Sequence, residues 1–187
     1  MLRHILPYEL NKFKEHLLRL DTEDRRMRFG MYTGDETIEK YVDNITLFDD
    51  VIYGCFDSDL NIIAAIHICI INTQDGHKHA ELGLSVEKSQ RGKGHGHALF
   101  KKAVEWGENR GVSELFTQCL AQNSFMLKIA EKEGMTKTSE DGEVFAKLKL
   151  ENHIPHFHNE LTEEIMSWLD YSLKFQTKIL RKITNFD

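Results

Sequence analysis

Cysteine is scarce in this chain of 187 residues: Cys55, Cys69 and Cys119 are an odd number, widely spaced, each set in an apolar run. That pattern argues against a disulfide framework or a thiolate metal site and reads as reduced core thiols of a cytoplasmic protein. Long apolar runs are also missing, and none approaches the ~20 residues that a membrane-spanning helix needs. The opening stretch, Met1 to Glu9, has no extended apolar segment, so a secretory signal is not expected. Positive charge is in deficit, and a net charge of −6 argues against a general nucleic-acid binder. Histidine is plentiful, but neither His77 and His79 nor the group His153, His156 and His158 has an acid or cysteine at a familiar ligand spacing. They read as surface residues, not as a metal site. The remainder is ordinary for a globular protein, 41% hydrophobic and 29% charged, and long enough for one domain with its own core.

Against that plain background, one segment stands out. Glu81-Leu-Gly-Leu-Ser-Val86 has the character of a strand, and it runs into Gln90-Arg-Gly-Lys-Gly-His-Gly96 and then an amphipathic stretch. A strand feeding a helix through alternating glycines aims backbone N–H groups and the positive end of a helix dipole at one point, which suits a phosphate. Glycine permits the unusual dihedrals and the close approach of an anion, and Arg91 and Lys93 add charge. A P-loop would need a Lys-Ser/Thr pair after its last glycine, whereas His97 and Ala98 follow Gly96. A Rossmann fingerprint would need Gly-x-Gly-x-x-Gly on a first strand, but the third glycine here comes one place early and the loop lies mid-chain.

Arg91-x-x-Gly94-x-Gly96 after a strand resembles the acetyl-CoA pyrophosphate loop of the GNAT N-acetyltransferase family, and the resemblance runs from about residue 10 to residue 150. Leu82-Gly-Leu-Ser-Val86 looks like the family's fourth strand, whose main chain pairs with the pantetheine arm. Leu120-Ala-Gln-Asn123-Ser-Phe-Met126 with Glu133-Gly134-Met135 looks like its second coenzyme-side element. Among GNAT proteins, the stretch from Glu81 to Gly96 and the Asn123 segment most resemble bacterial protein-lysine acetyltransferases of the Pat type. The resemblance implies a mixed, mostly antiparallel sheet flanked by helices, an α/β fold, with acetyl-CoA as co-substrate. It implies that Arg91, Gly92, Lys93, Gly94, His95 and Gly96 hold the pyrophosphate, that Leu84 and Val86 lie along the pantetheine, and that Glu81 is the general base. Many GNAT enzymes carry a tyrosine as general acid seven residues after the asparagine; here that position is Ala130.

Hydrophobic periodicity supplies the elements independently. Helices are expected over 7–20, 22–28 and from 35, the last capped by Asp35, with Ile38, Tyr41, Val42 and Ile45 on one stripe. Strands are expected over 51–56, 62–71, 79–86 and 115–120, with the first two joined as a hairpin. Helices over 95–110 and 124–133 should stop at Gly111 and Gly134, and Asp141-Gly142 should turn a last hairpin into a strand over 144–150.

Chemically, an amine acceptor with pKa ~10.4 is mostly protonated at neutral pH, so transfer needs a carboxylate base. Glu81 is that candidate; an N–H on its strand is a candidate donor to the thioester oxygen. Asn123 either touches the pantetheine or caps the next helix. Cys119 is a nucleophile on paper and more naturally a buried structural thiol. The stretch Asp24-Arg-Arg-Met-Arg-Phe-Gly30 resembles an element near the start of Pat-like domains, in which Arg28 and Phe29 form a substrate wall or simply pack a helix. The acceptor is a protein lysine or a small-molecule amine. A rival reading keeps acyl-CoA binding without transfer, as a sensor module. Residues 1–151 are expected to be the GNAT domain. Residues 152–187 are a linker and an amphipathic helix carrying Ile165, Trp168, Leu169, Leu173, Leu180 and Ile183, which folds back or makes a homodimer contact.

Overall fold

The computed structural model describes residues 1–46, 50–73 and 77–151. In chain order these give β1 (Leu2–His4), a 3₁₀ turn (Pro7–Glu9), α1 (Leu10–Arg19), α2 (Thr22–Phe29), α3 (Asp35–Asp43), β2 (Asp50–Phe56) and β3 (Ile62–Asn72). There follow β4 (Lys78–Val86), a 3₁₀ turn (Lys88–Gln90), α4 (His95–Asn109), β5 (Glu114–Leu120), α5 (Ser124–Lys132), β6 (Thr136–Glu140) and β7 (Glu143–Lys149). The strands form one sheet in the order β1-β2-β3-β4-β5-β7-β6. Every neighbouring pair is antiparallel except β4 with β5. The mixed, mostly antiparallel α/β architecture expected from the sequence is therefore present.

Local chemistry explains the boundaries. The Asp21 side chain accepts from the Asp24 N–H and so caps α2, which ends where Gly30 takes φ +76°. The expected cap of α3 shifts by one residue: Gly34 is the cap, and Asp35 opens the helix, where its charge favours the dipole. Asp141 and Gly142 both have positive φ, as a two-residue hairpin turn requires between β6 and β7. The first helix begins as the Pro7–Glu9 turn before it becomes α-helical at Leu10.

The sheet separates two apolar layers. Alternating residues of β2, β3 and β4 (Val51, Tyr53, Ile66, Ile68, Leu82 and Leu84) pack with Leu99, Phe100 and Ala103 of α4 and with Met126 and Ile129 of α5. The opposite face packs Ile52, Phe56 and Ala65 against Phe13 and Leu17 of α1 and Ile38 and Val42 of α3. Phe13, Leu17 and Ile38 are essentially inaccessible, and burial of each contributes roughly 1.5–3 kcal/mol. Cys55 and Cys119 are buried free thiols and Cys69 is half-buried. No helix among the described residues is long and apolar enough to cross a membrane. The amphipathic helix expected beyond residue 160, the homodimer contact drawn from it, and His153, His156 and His158 lie outside the described residues.

Candidate active site

The parallel ladder between β4 and β5 is short: His79, Ala80 and Glu81 pair with Glu114, Leu115 and Phe116, and then the strands part. At the fork the Thr117 hydroxyl donates to the Leu82 carbonyl at 3.0 Å, supplying the bond that a strand neighbour would have made. Successive residues of a strand turn their main-chain groups to opposite edges. Since Leu82 faces β5, so do Leu84 and Val86. Glu87 correspondingly faces the other way, its N–H donating to Ile63 on the β3 side. Residues 82–86 thus keep β3 along one edge and lack a strand partner along the other, among the described residues. Leu84 and Val86, expected to lie along a pantetheine, stand on this open edge. The Val86 carbonyl already receives Arg91 Nε at 3.3 Å.

Immediately after β4 the chain makes its turn and enters the glycine loop. Gly92 and Gly94 have φ of +76° and +84°, while a Cβ on either would meet nothing within 4 Å. The left-handed backbone is what demands glycine there. The first helical bond of α4 runs from the Ala98 N–H to the Gly94 carbonyl, so the N–H groups of His95, Gly96 and His97 precede the ladder. Gly96 is different in kind. A Cβ on it would lie 2.8 Å from the Phe125 ring and 2.9 Å from Ile129 Cδ1, so this glycine lets α4 and α5 pack closely. Lys93 bonds Gln90 at 2.9 Å, and partial burial, then nearby positive charge including Lys93, holds the His95 imidazole below its ordinary pKa. Arg91 forms an ion pair with Asp24 of α2 at 2.6 Å.

Two cavities open along the fork. The smaller, about 230 Å³, lies between α2, the end of β4 and the start of α5, and Arg91, Val86 and Phe125 line it. The larger, about 440 Å³, is bounded by α2, β4, β5 and β7, with Glu81 and Glu143 on its walls. Met27, Arg28, Leu84 and Asn123 line both and join them into one trench. Glu81 is solvent-exposed on the strand face shared by Gly83 and Ser85, opposite to that of Leu82 and Leu84. Asn123 does two things at once: its Oδ1 accepts from the Met126 N–H, capping α5, and its Nδ2 donates to the Met27 carbonyl, both at 3.0 Å. Its polar atoms therefore clamp α2 to α5 across the trench. Ala130 is buried in the α4–α5 layer and lines neither cavity. Cys119 does line the larger cavity, but burial, followed by the Glu143 charge, raises its thiol pKa, which leaves it a poor nucleophile.

Sequence reasoning missed a polar chain on the same wall. Arg28 Nη2 donates to the Tyr41 hydroxyl at 3.0 Å, and that hydroxyl lies 2.5 Å from His67 Nδ1. The Asp50 carboxylate approaches His67 Nε2 at 3.2 Å. Burial first, then the Arg28 charge, pushes the His67 imidazole down to about 4, so it is neutral at pH 7. Burial likewise raises the Tyr41 phenol. Tyr41 therefore donates to Nδ1 and keeps its lone pairs for Arg28. The Arg28 guanidinium lies against Gly83, where a Cβ would come within 1.8 Å of Nη2. An isolated glycine inside a strand marks a close approach, and Gly83 is the signal in the sequence that could have pointed to this contact. Among the described residues no group of three or more His, Cys, Asp or Glu is arranged to hold a metal.

Comparison with known proteins agrees with this geometry. The chain resembles the GNAT domain of S. lividans PAT, with 20% identity, 80% of this chain and 89% of that one covered, and a TM-score of 0.68. It also resembles a ribosomal-protein-alanine N-acetyltransferase from Brucella melitensis, at 14% identity with 80% and 99% covered and a TM-score of 0.60. Arabidopsis thaliana NAA60, solved with a bisubstrate analogue, matches at 12% identity with 82% and 99% covered and the same TM-score of 0.60. At such identities these likenesses concern the fold alone. A search of the curated proteins finds no significant match. The sequence model of the acetyltransferase (GNAT) family, however, matches residues 15–135. With the forked sheet and the glycine loop already in place, that match settles the relationship: the chain belongs to the GNAT acetyltransferase family.

Proposed function

We propose that this protein is an acetyl-CoA-dependent N-acetyltransferase that moves an acetyl group directly to a primary amine, with residues 1–151 as its catalytic domain. The observation that carries the reading is the open edge of β4 running straight into the glycine loop. An extended arm can pair with Leu84 and Val86, and a phosphate can settle on the α4 N-terminus beside Arg91 and Lys93. The chain's residues fit such a donor: two left-handed glycines with open space before them, and first-turn N–H groups with no backbone partner among the described residues, supply the cradle. Acetyl-CoA brings an acetyl thioester. The protein's task is to hold it, to present the amine and to manage one proton.

That proton belongs to the amine. Glu81 stands at the mouth of the larger cavity, beyond the end of the open edge. Its carboxylate takes the ammonium proton, directly or through one water, so that the neutral nitrogen can attack the acetyl carbon; the nitrogen's second proton passes to solvent as the thiolate departs. A Leu84 or Val86 N–H can donate to the acyl oxygen as charge gathers there. No tyrosine serves the departing thiolate at Ala130, so solvent returns its proton. Because of Ala130, a sensor that binds acyl-CoA without transfer is the second reading. Calorimetric titration of acetyl-CoA and CoA tests the first. We expect micromolar binding by the wild type and none by an Arg91→Ala, Gly94→Glu variant. Absence of binding by the wild type overturns the proposal. A Glu81→Gln variant that binds normally but no longer transfers excludes the sensor.

A further inference from the structure

Among the described residues, the larger cavity contains one strong cation, Arg28, and no carboxylate lies in ion-pair contact with it. Its near neighbours are a phenol and aromatic faces: Tyr41 accepts from Nη2, and the guanidinium lies 5.0 Å from the Phe29 ring centroid. Nε is sealed from solvent and has no hydrogen-bond partner. Asp50 is the end of this polar chain and stands behind His67. Arg28 is half-buried with no carboxylate in contact, and its position is maintained by a glycine berth on β4 and by the Tyr41–His67 chain. Such a group is prepared for an anion that arrives from outside.

Glu81 lies on the same strand face, two residues from Gly83, and alternate residues of a strand are about 6.5–7 Å apart. A cation over Gly83 and a carboxylate rooted at Glu81 on the same cavity wall match a ligand carrying both opposite charges close together. We propose that the acceptor is a small zwitterionic amine, an amino acid whose carboxylate is held by Arg28 while its amino group stands beside Glu81. The inference rests on the N-acetyltransferase reading above. A polyamine would bring a second positive charge to Arg28, and a protein lysine presents its amine on an aliphatic arm with no anion next to it. Phe29, Leu84 and Met126 give the cavity an apolar side, which suits an apolar side chain.

The test uses the full chain with acetyl-CoA and the free apolar amino acids, each beside its amide and its decarboxylated amine, following thiol release and product mass. At least one acid should show a KM tenfold or more below those of its amide and amine. Arg28→Gln should abolish that difference, and Arg28→Lys should retain part of it. Equal KM values for acid and amide in the wild type overturn the proposal, as does acetylation of protein lysines or polyamines alone. A fall in kcat of equal size for acid and amide in Arg28→Gln would instead assign Arg28 to the acyl group. Thermal shifts of the CoA-saturated protein provide a readout that needs no transfer. If acetyl-CoA binds but no amine is acetylated, the transferase reading fails. An acid that then stabilises the wild type, and not Arg28→Gln, still supports the anion site, and absence of any such shift overturns it.

Discussion

Against α4 and α5 the sheet presents an apolar layer from Val51 to Ala146, in which position matters through shape and volume. Against α1 and α3 the apolar cluster is smaller, and buried polar pairs interrupt it. Arg3 and Glu9 form a two-bond ion pair at 2.6 and 2.8 Å, His16 joins Ser85 at 2.9 Å, and Tyr41 joins His67. The first face gains stability from contacts that have no preferred direction. The second depends on donors and acceptors aimed at one another, and it is the face from which Glu81 and Arg28 enter the trench. Stability and chemistry are thus concentrated on opposite sides of one sheet.

Removing the proposed base should have the largest effect and leave the fold alone. Glu81→Gln should lower kcat by ~10²–10⁴-fold with an unchanged melting temperature, because the side chain is exposed. Steady-state rates that stay near wild type would remove Glu81 from the mechanism. On the polar face, Glu9→Ala should cost about 3–5 kcal/mol in urea unfolding by stranding the Arg3 guanidinium, whereas an Arg3→Met, Glu9→Leu double variant should cost much less. On the apolar face, Leu99→Ala should cost ~2–5 kcal/mol by opening a cavity. The folded fraction should keep its specific activity, and a large loss there would dissolve the contrast between the faces.

Acidity should separate the two faces further. His67 is held at about 4 in the folded chain, against an unfolded value of 6.5, so the unfolded state binds more protons between those limits. Its contribution is present above pH 6.5 and is lost as pH falls towards 4, on the order of 2 kcal/mol by pH 5. His16, lowered chiefly by burial, acts in the same direction. Urea midpoints of His67→Asn should therefore depend less steeply on pH than those of the wild type, and parallel profiles would contradict the neutral Tyr41–His67 pair. The smallest effect is expected at Asn123→Ala, about 1 kcal/mol for the lost helix cap. Hydrogen exchange in α2 should rise with it, since the Met27 tether goes too.

The elements that carry local signals were legible in the sequence. Alternation in β4 and the left-handed demands at Gly92, Gly94 and Gly142 follow from near neighbours in the chain. β1 escaped notice because three residues have no period to read, and its pairing with residues 53–55 is made by the fold. Gly96 looked like a third ligand glycine because its spacing suits one, while its reason, the Phe125 ring, comes from another helix. Arg28 was ambiguous for the same cause: Gly83, Tyr41 and His67 lie on three different elements. The candidate site therefore divides by range: its loop is local chemistry, and its larger cavity is tertiary.

The fork at Leu82 has one more consequence. It creates, inside a continuous sheet, a stretch of edge with no strand partner among the described residues, of the kind that normally recruits other polypeptides and drives association. α2 lies over it, fixed at one end by the Asp24–Arg91 and Asp21–Lys88 ion pairs and at the other by the Asn123 bond to Met27. A second chain would have to lift this roof before it could add a strand. A slender arm needs only the slot beneath, so the helix that narrows the entrance also shields this edge from the addition of a strand.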